Sequence, residues 1–146
     1  MLTVERAPSQ VHGMTANSVT SVSLEPLLIL ICVDQHAQLL PLLKKEKRFG
    51  VNVLKEDQQA ISRYFAQTEE NAKSEAELGI RYRWTPSGIP LLEDALTHVA
   101  CVVVASYVAG DHTIFLGEVE SVEVFNGEPL LYFRGAYRRV APQNQV

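Results

Sequence analysis

Two long runs rich in β-branched and aromatic residues, 99–108 (VACVVVASYV) and 113–125 (TIFLGEVESVEVF), are separated only by Ala109, Gly110, Asp111 and His112. Such runs favour the extended state, and Ala109, Gly110 and Asp111 supply a turn, so the pair reads as one long hairpin. A hairpin of this length presents two unpaired edges, which other strands must cover. Runs of the same kind at 14–24, 27–33, 49–54 and 130–133, with 2–5 as a weaker first strand, supply them. Pro26 separates 14–24 from 27–33 because it cannot donate to a ladder, and Asn126, Gly127 and Glu128 make a later turn. In the 113–125 run, Phe115, Gly117 and Val119 share one face while Val122 and Val124 share the other, as a bulge would require. Gly117 is the natural bend point. Many strands with few helices predict a mainly β chain with two or three short helices, built as a closed or nearly closed antiparallel barrel.

Two helices fit between the strands. Residues 38–47 turn Leu39, Leu40, Leu42 and Leu43 toward a core, with Pro41 tolerated in the first turn. Asp57 is the expected N-cap of a second helix, in which Ile61, Tyr64 and Phe65 lie on one face. Residues 67–77 are polar and acidic and read as a mobile excursion or a solvated helix. There is no internal repeat and no composition break, so 1–146 is expected to be one domain.

A formal net charge of −4 argues against nucleic-acid binding as the main activity. The basic cluster Lys44, Lys45, Lys47 and Arg48 is broken by Glu46 and closes a helix, where cations suit the macrodipole. Cys32 and Cys101 lie in apolar runs without the close spacing of a metal or redox site, so no metal centre is expected. No apolar run approaches the ~20 residues that span a bilayer. A cytoplasmic protein with no membrane contact is the expectation.

Three segments carry chemistry. Residues 12–26 (HGMTANSVTSVSLEP) crowd short hydroxyls and amides ahead of an apolar run. They serve either their own backbone or a polar ligand, and composition leaves both open. His112 follows Asp111 in the hairpin turn and is by itself only a turn residue beside an acid. Residues 130–140 (LLYFRGAYRRV) collect aromatic faces and guanidinium groups suited to a planar ring and a phosphate, or form an amphipathic strand with a basic tail.

Together GMTANSVTSVSLEPLLILICVD, FGVNVLKEDQQAISRYFA, GIPLLEDAL and AGDHTIFLGEVESVEVFNGEPLLYFRGAYR resemble the short-chain flavin reductase family, the reductase component of two-component flavin-dependent monooxygenases. The resemblance runs from His12 to Arg138. It implies an antiparallel split β-barrel of the FMN-binding type, acting as a homodimer with flavin at the subunit interface and NADH or NADPH as reductant. It assigns Thr15, Ala16, Asn17 and Ser18, then Ser21 and Ser23, to the flavin. Cys32, Val33, Asp34 and Ala37 approach the flavin, as do Tyr132, Phe133, Arg134 and Gly135 with Tyr137. His112 is assigned to the nicotinamide as the catalytic residue, positioning the ring rather than acting as a base.

The activity implied is hydride transfer from NAD(P)H to FMN or FAD, with reduced flavin passed to a partner monooxygenase. A flavin-keeping electron-transfer barrel with little reductase activity is the alternative, and an interaction module binding no flavin is a third. Three departures stand out: only residues 1–11 precede His12, a shortened N-terminus; Val19 replaces a common aromatic; and the turn DQHAQ lacks the usual Lys or Arg for phosphate. Residues 139–146 read as a C-terminal tail.

Overall fold

In a computed structural model of the chain, residues 1–66 and 74–140 are described. Residues 67–73, most of the predicted acidic excursion, and 141–146 of the predicted tail lie outside them. Seven strands form one antiparallel sheet in the order β2-β1-β5-β8-β9-β4-β3. They are β1 (Leu2–Ala7), β2 (Gln10–Met14), β3 (Val19–Leu24), β4 (Leu27–Asp34), β5 (Arg48–Val53), β8 (Thr97–Ala109) and β9 (His112–Val124). Two small hairpins stand apart, β6 (Tyr82–Trp84) with β7 (Pro90–Leu92), and β10 (Leu131–Phe133) with β11 (Ala136–Arg138).

The expected long hairpin is β8–β9, closed by Ala109 opposite His112 across Gly110 and Asp111. Gly110 takes φ 63°, the positive first turn position that a two-residue hairpin of this kind requires. Each strand carries a bulge: Glu120 has no partner between Val119 and Ser121, and Val104 none between Val103 and Ala105. The slip read from the sequence is therefore at Glu120. Beyond it Val122 and Val124 are exposed. A Cβ on Gly117 would lie 2.6 Å from Phe49 Cζ, so the missing side chain admits the Phe49 ring to the core.

The predicted strand 14–24 is not one strand. Thr15–Ser18 leave the ladders because α2 (Gln59–Tyr64) draws them aside: Thr15 N–H donates to the Phe65 carbonyl (3.0 Å) and Thr15 Oγ1 to the Ser62 carbonyl (2.7 Å). The break puts β2 and β3 on opposite edges of the sheet. Seven flat strands would hold those edges roughly 29 Å apart, yet the five steps from Met14 to Val19 reach at most about 18 Å. The sheet is therefore strongly curled, although among the described residues no ladder joins β2 to β3 and the barrel is not closed by hydrogen bonds.

Helix α1 (Leu39–Glu46) buries Leu39, Leu40 and Leu43 as predicted and packs on β1, β2 and β4. It stops at Lys47, which adopts a left-handed conformation with its N–H on the Leu43 carbonyl. The main core joins this helix to Leu2, Val4, Ile31, Val33, Phe49, Val51, Cys101 and Phe115. A second cluster, Met1, Leu54, Ile80, Leu92 and Ala95, receives Ile61, Tyr64 and Phe65 of the α2 region. Asp57 does not cap α2: it is exposed, and Gln58 stands at the cap. Gln58 Oε1 instead accepts the Lys55 N–H (2.9 Å), holding the turn that leads in. Cys101 is buried and its thiol pKa is pushed up to about 12 by burial, which makes it an inert core residue. Among the described residues no helix is long and apolar enough to cross a membrane.

One buried polar group ties stability to pH. His98 on β8 donates Nε2–H to the Leu92 carbonyl (2.6 Å) and accepts at Nδ1 from Arg83 Nη2 (2.8 Å). Arg83 also binds Glu123 (2.6 Å). A carbonyl only accepts and a guanidinium only donates, so the ring is held neutral. Burial, chiefly, sets its pKa below the ordinary histidine value. Below about pH 6.5 the unfolded chain then binds more protons than the fold. The contribution of His98 is complete above that pH and is lost as pH falls toward its depressed folded value. The urea midpoint is expected to drop on acidification through pH ~6, and to drop less steeply in His98→Gln. Parallel slopes for the two proteins would overturn this assignment.

Candidate functional site

Where the Thr15–Ser18 segment leaves the sheet it forms one wall of a cavity of about 500 Å³, within the ~300–1,000 Å³ range of small-molecule sites. Thr15, Ala16, Asn17 and Val19 face Val51, Asn52, Val53 and Leu54 at the end of β5, with Ser62, Ala66, Leu130, Tyr132 and Tyr137 completing it. Small side chains on one wall and aliphatic ones on the other leave a space suited to a flat ring with polar edges. A wider, more open groove of about 620 Å³ adjoins it and shares Ala66, Tyr132 and Tyr137, adding Gln59, Arg63, Gly135 and Ala136.

Ser62 organises these walls. It is buried on α2; its carbonyl accepts from Thr15, and its Oγ accepts from the Tyr137 hydroxyl (3.0 Å). Three elements distant in sequence thus meet on one serine. The Tyr137 ring is fixed further by Tyr132, edge-on at 5.2 Å between centroids. Both belong to the β10–β11 hairpin, whose two-residue turn, Arg134 and Gly135, has positive φ at both positions (51° and 76°).

His112 lies at a second focus. It pairs with Asp34 across the β4–β9 ladder, and Nδ1–H donates to Asp111 Oδ1 at 2.8 Å. That hydrogen bond, above all, raises the His112 pKa over the ordinary value, and the same contact lowers that of Asp111. Asp34 is also held below the usual carboxylate range, first by the His36 N–H on Oδ1 (2.7 Å). Gln35 clamps this β4–α1 turn to the hairpin tip. Its N–H donates to the Asp111 carbonyl (2.8 Å), and its Nε2 to the His112 carbonyl (3.2 Å) and Thr113 Oγ1 (3.0 Å).

Of the residues singled out in the sequence, the cavity gathers Thr15, Ala16, Asn17, Tyr132 and Tyr137, and the groove adds Gly135. Ser18 is adjacent: its carbonyl accepts the Cys32 N–H (3.1 Å), which brings the segment alongside β4. Cys32 and Asp34 continue from there toward His112, while the Val33 side chain is fully buried in the core and Ala37 packs against it. Ser21 and Ser23 lie on edge strand β3 away from the cavity, and Ser23 Oγ accepts the Glu25 N–H (3.2 Å), which is turn chemistry. Phe133 and Arg134 are exposed at the tip of the β10–β11 hairpin and line neither space, with the guanidinium over the Phe133 ring. His112 lines neither cavity.

Ser62, Asn52 and Arg63 were not marked by sequence reasoning. The signal for Ser62 is its i, i+3 relation to Phe65, which places it on the face α2 buries. Among the described residues no cluster of His, Cys, Asp and Glu could hold a metal.

Comparisons with known proteins agree on one family. The model of the flavin reductase like domain matches residues 1–141. The NADH-dependent flavin reductase of a Rhodococcus species is 42% identical over 128 residues, 88% of this chain and 69% of the relative. The reductase component of 4-hydroxyphenylacetate 3-monooxygenase from Thermus thermophilus is 36% identical over 136 residues, 92% of this chain and 83% of the relative. Among solved structures, the flavin reductase PheA2 in its native state superposes with a TM-score of 0.86 at 37% identity, covering 96% of this chain and 87% of its own.

Proposed function

The chain belongs to the flavin reductase-like family, and from that premise we propose that it is an NADH-dependent reductase of free flavin that supplies reduced flavin to a separate monooxygenase. The observation that carries this reading is the cavity itself. It unites the small-residue wall Thr15–Asn17 with Tyr132 and Tyr137, residues that the family resemblance assigns to flavin. Bound flavin would supply N5 as acceptor for hydride from the nicotinamide C4. The chain's own task is then to hold two rings in contact and exclude water. Asn17 offers an amide to the ring edge, while Val19, Val51 and Leu54 cover its apolar part. His112, whose protonated form the Asp111 hydrogen bond favours, donates a hydrogen bond to the nicotinamide amide.

A split barrel and a homodimer belong to the same reading. The tight Met14–Val19 crossover supports the first. The second is supported by exposed apolar residues on β3, at the start of β4 and on the distal half of β8: Val22, Leu24, Leu27, Val104, Tyr107 and Val108. The separation of His112 from the cavity within one chain also favours a site completed between two copies. The test is NADH oxidation by purified protein with FMN or FAD in excess, alongside light scattering for the oligomer. Turnover that requires added flavin, from a dimer, is expected. No turnover together with no quenching of flavin fluorescence would overturn the function, and a monomer with full activity would overturn the dimer.

A further inference from the structure

The β10–β11 hairpin forms its ladder only with itself and joins no other strand of the sheet. Both of its roots reach one short stretch after β5. The Leu130 N–H donates to the Leu54 carbonyl (2.8 Å), Pro129 bridges Lys55, and Arg139 Nε pairs with Glu56 (3.4 Å). Beyond those roots, among the described residues, a single hydrogen bond ties the hairpin to the rest of the fold, from the Tyr137 hydroxyl to Ser62 Oγ (3.0 Å). The Arg63 guanidinium, 5.6 Å from the Tyr137 ring centroid, adds a weaker hold on the same side chain. Tyr132 leans edge-on against Tyr137, so the two rings form one unit. These two tyrosines are also walls, bordering both the cavity and the groove. Ser62 belongs to the fixed side: it is buried on α2, and its carbonyl holds Thr15 of the opposite wall. One wall of a ring-sized space thus hangs from one edge and is fastened by one neutral hydrogen bond. A segment held by so few contacts opens without the rest of the fold.

We propose that β10–β11 is a flap over the flavin ring, latched by the Tyr137–Ser62 hydrogen bond, and that its opening sets how fast flavin enters and leaves. The proposal rests on the reading that the cavity takes the flavin ring, and it adds the residues that time flavin exchange. A reductase that hands on reduced flavin must release it in every cycle, which a wall fastened by one weak bond permits and a core wall does not. The latch joins two protein groups and uses no atom of the ligand, so it restrains opening equally with and without flavin. Weakening it therefore raises the entry and exit rates together and leaves affinity nearly unchanged. A side chain that merely touched the ring would change affinity, through the exit rate.

Stopped-flow fluorescence of FMN association and dissociation, on the full chain, provides the test. Tyr137→Phe keeps the ring and removes the hydroxyl. Both rate constants should rise about threefold to tenfold, the factor that one neutral hydrogen bond is worth, with Kd changed less than about twofold. Ser62→Ala removes the other half of the latch and should act alike. The double variant should exceed neither single one by more than roughly twofold, because the two groups share one interaction. Hydrogen exchange without flavin gives a readout that needs no ligand: amides of 131–138 should exchange faster in both variants, while those of β8 and β9 stay as in the wild type. A fall in affinity at an unchanged association rate would overturn the latch by making Tyr137 a simple contact. Unchanged rates, or effects of the two substitutions that add in full, would overturn it as well. If the wild type bound no FMN, the flavin reading would fall and the proposal with it; FMN binding with unaltered exchange rates in the variants would sink the latch alone.

Discussion

Gly50→Val is expected to destabilise the fold by about 3 kcal/mol or more, the upper range for forcing methyl groups into a packed core. Gly50 sits on β5 opposite Thr3 of β1 and Ala100 of β8. A Cβ there would lie 2.5 Å from Thr3 Oγ1 and 2.6 Å from the Pro90 carbonyl oxygen. These atoms cannot step aside separately. Thr3 Oγ1 donates to that same carbonyl (2.6 Å) and accepts from Asn52 Nδ2 (3.0 Å), and Asn52 Oδ1 holds the Leu92 N–H (2.8 Å). Thr3 and Asn52 are completely buried, so any displacement leaves a polar group unpaired, at ~1–3 kcal/mol each. Equilibrium urea unfolding checks it: a midpoint equal to that of the wild type would show that the network yields more easily than its geometry implies.

The second large effect is on turnover. His112→Ala is expected to reduce NADH oxidation on the order of tenfold to a hundredfold, the scale of losing orientation between reacting rings, with flavin affinity almost unchanged. Asn17→Ala should do the reverse, because Asn17 lines the cavity and His112 does not. The pH profile gives an independent readout. The Asp111 hydrogen bond raises the His112 pKa, so the protonated form is present below that value and lost as pH rises through it. Activity carried by the imidazolium should decline on that alkaline limb, and Asp111→Asn should move the decline to lower pH. Equal and negligible effects of His112→Ala and Asn17→Ala, or an unmoved alkaline limb, would refute the division of labour.

Much of this was legible in the residues. Alternating Val, Ile and Thr gave the long strands, and the Gly110–Asp111 turn gave the hairpin, because these depend on local propensity and period. The break at Thr15–Ser18 was not placed, since it is fixed by the Ser62 carbonyl on α2, 47 residues away; Ala16, Asn17 and Ser18 are weak strand formers, but between strand-like neighbours that signal alone does not locate a break. The three-residue strands β6 and β7 escaped for a related reason. They are too short to show a period, and it is their pairing with each other, with Leu91 and Leu92 buried, that makes them strands. At the site, motif residues were found by type, whereas Ser62 and Arg63 matter through where α2 sets them down. Asp57 was misread as a cap because a good capping residue next to a helix is not thereby in capping position.

The clamp made by Gln35 limits how this protein could be redesigned. Because one amide side chain and one backbone N–H tie the β4–α1 turn to the hairpin tip, the two turns form a single rigid piece that also carries the His112 backbone. Charge at position 36 can be retuned with little structural penalty, since the His36 side chain is almost wholly in solvent. Position 35 is different. An insertion or deletion in that turn would change its loop length and, through the clamp, the angle at which His112 is presented.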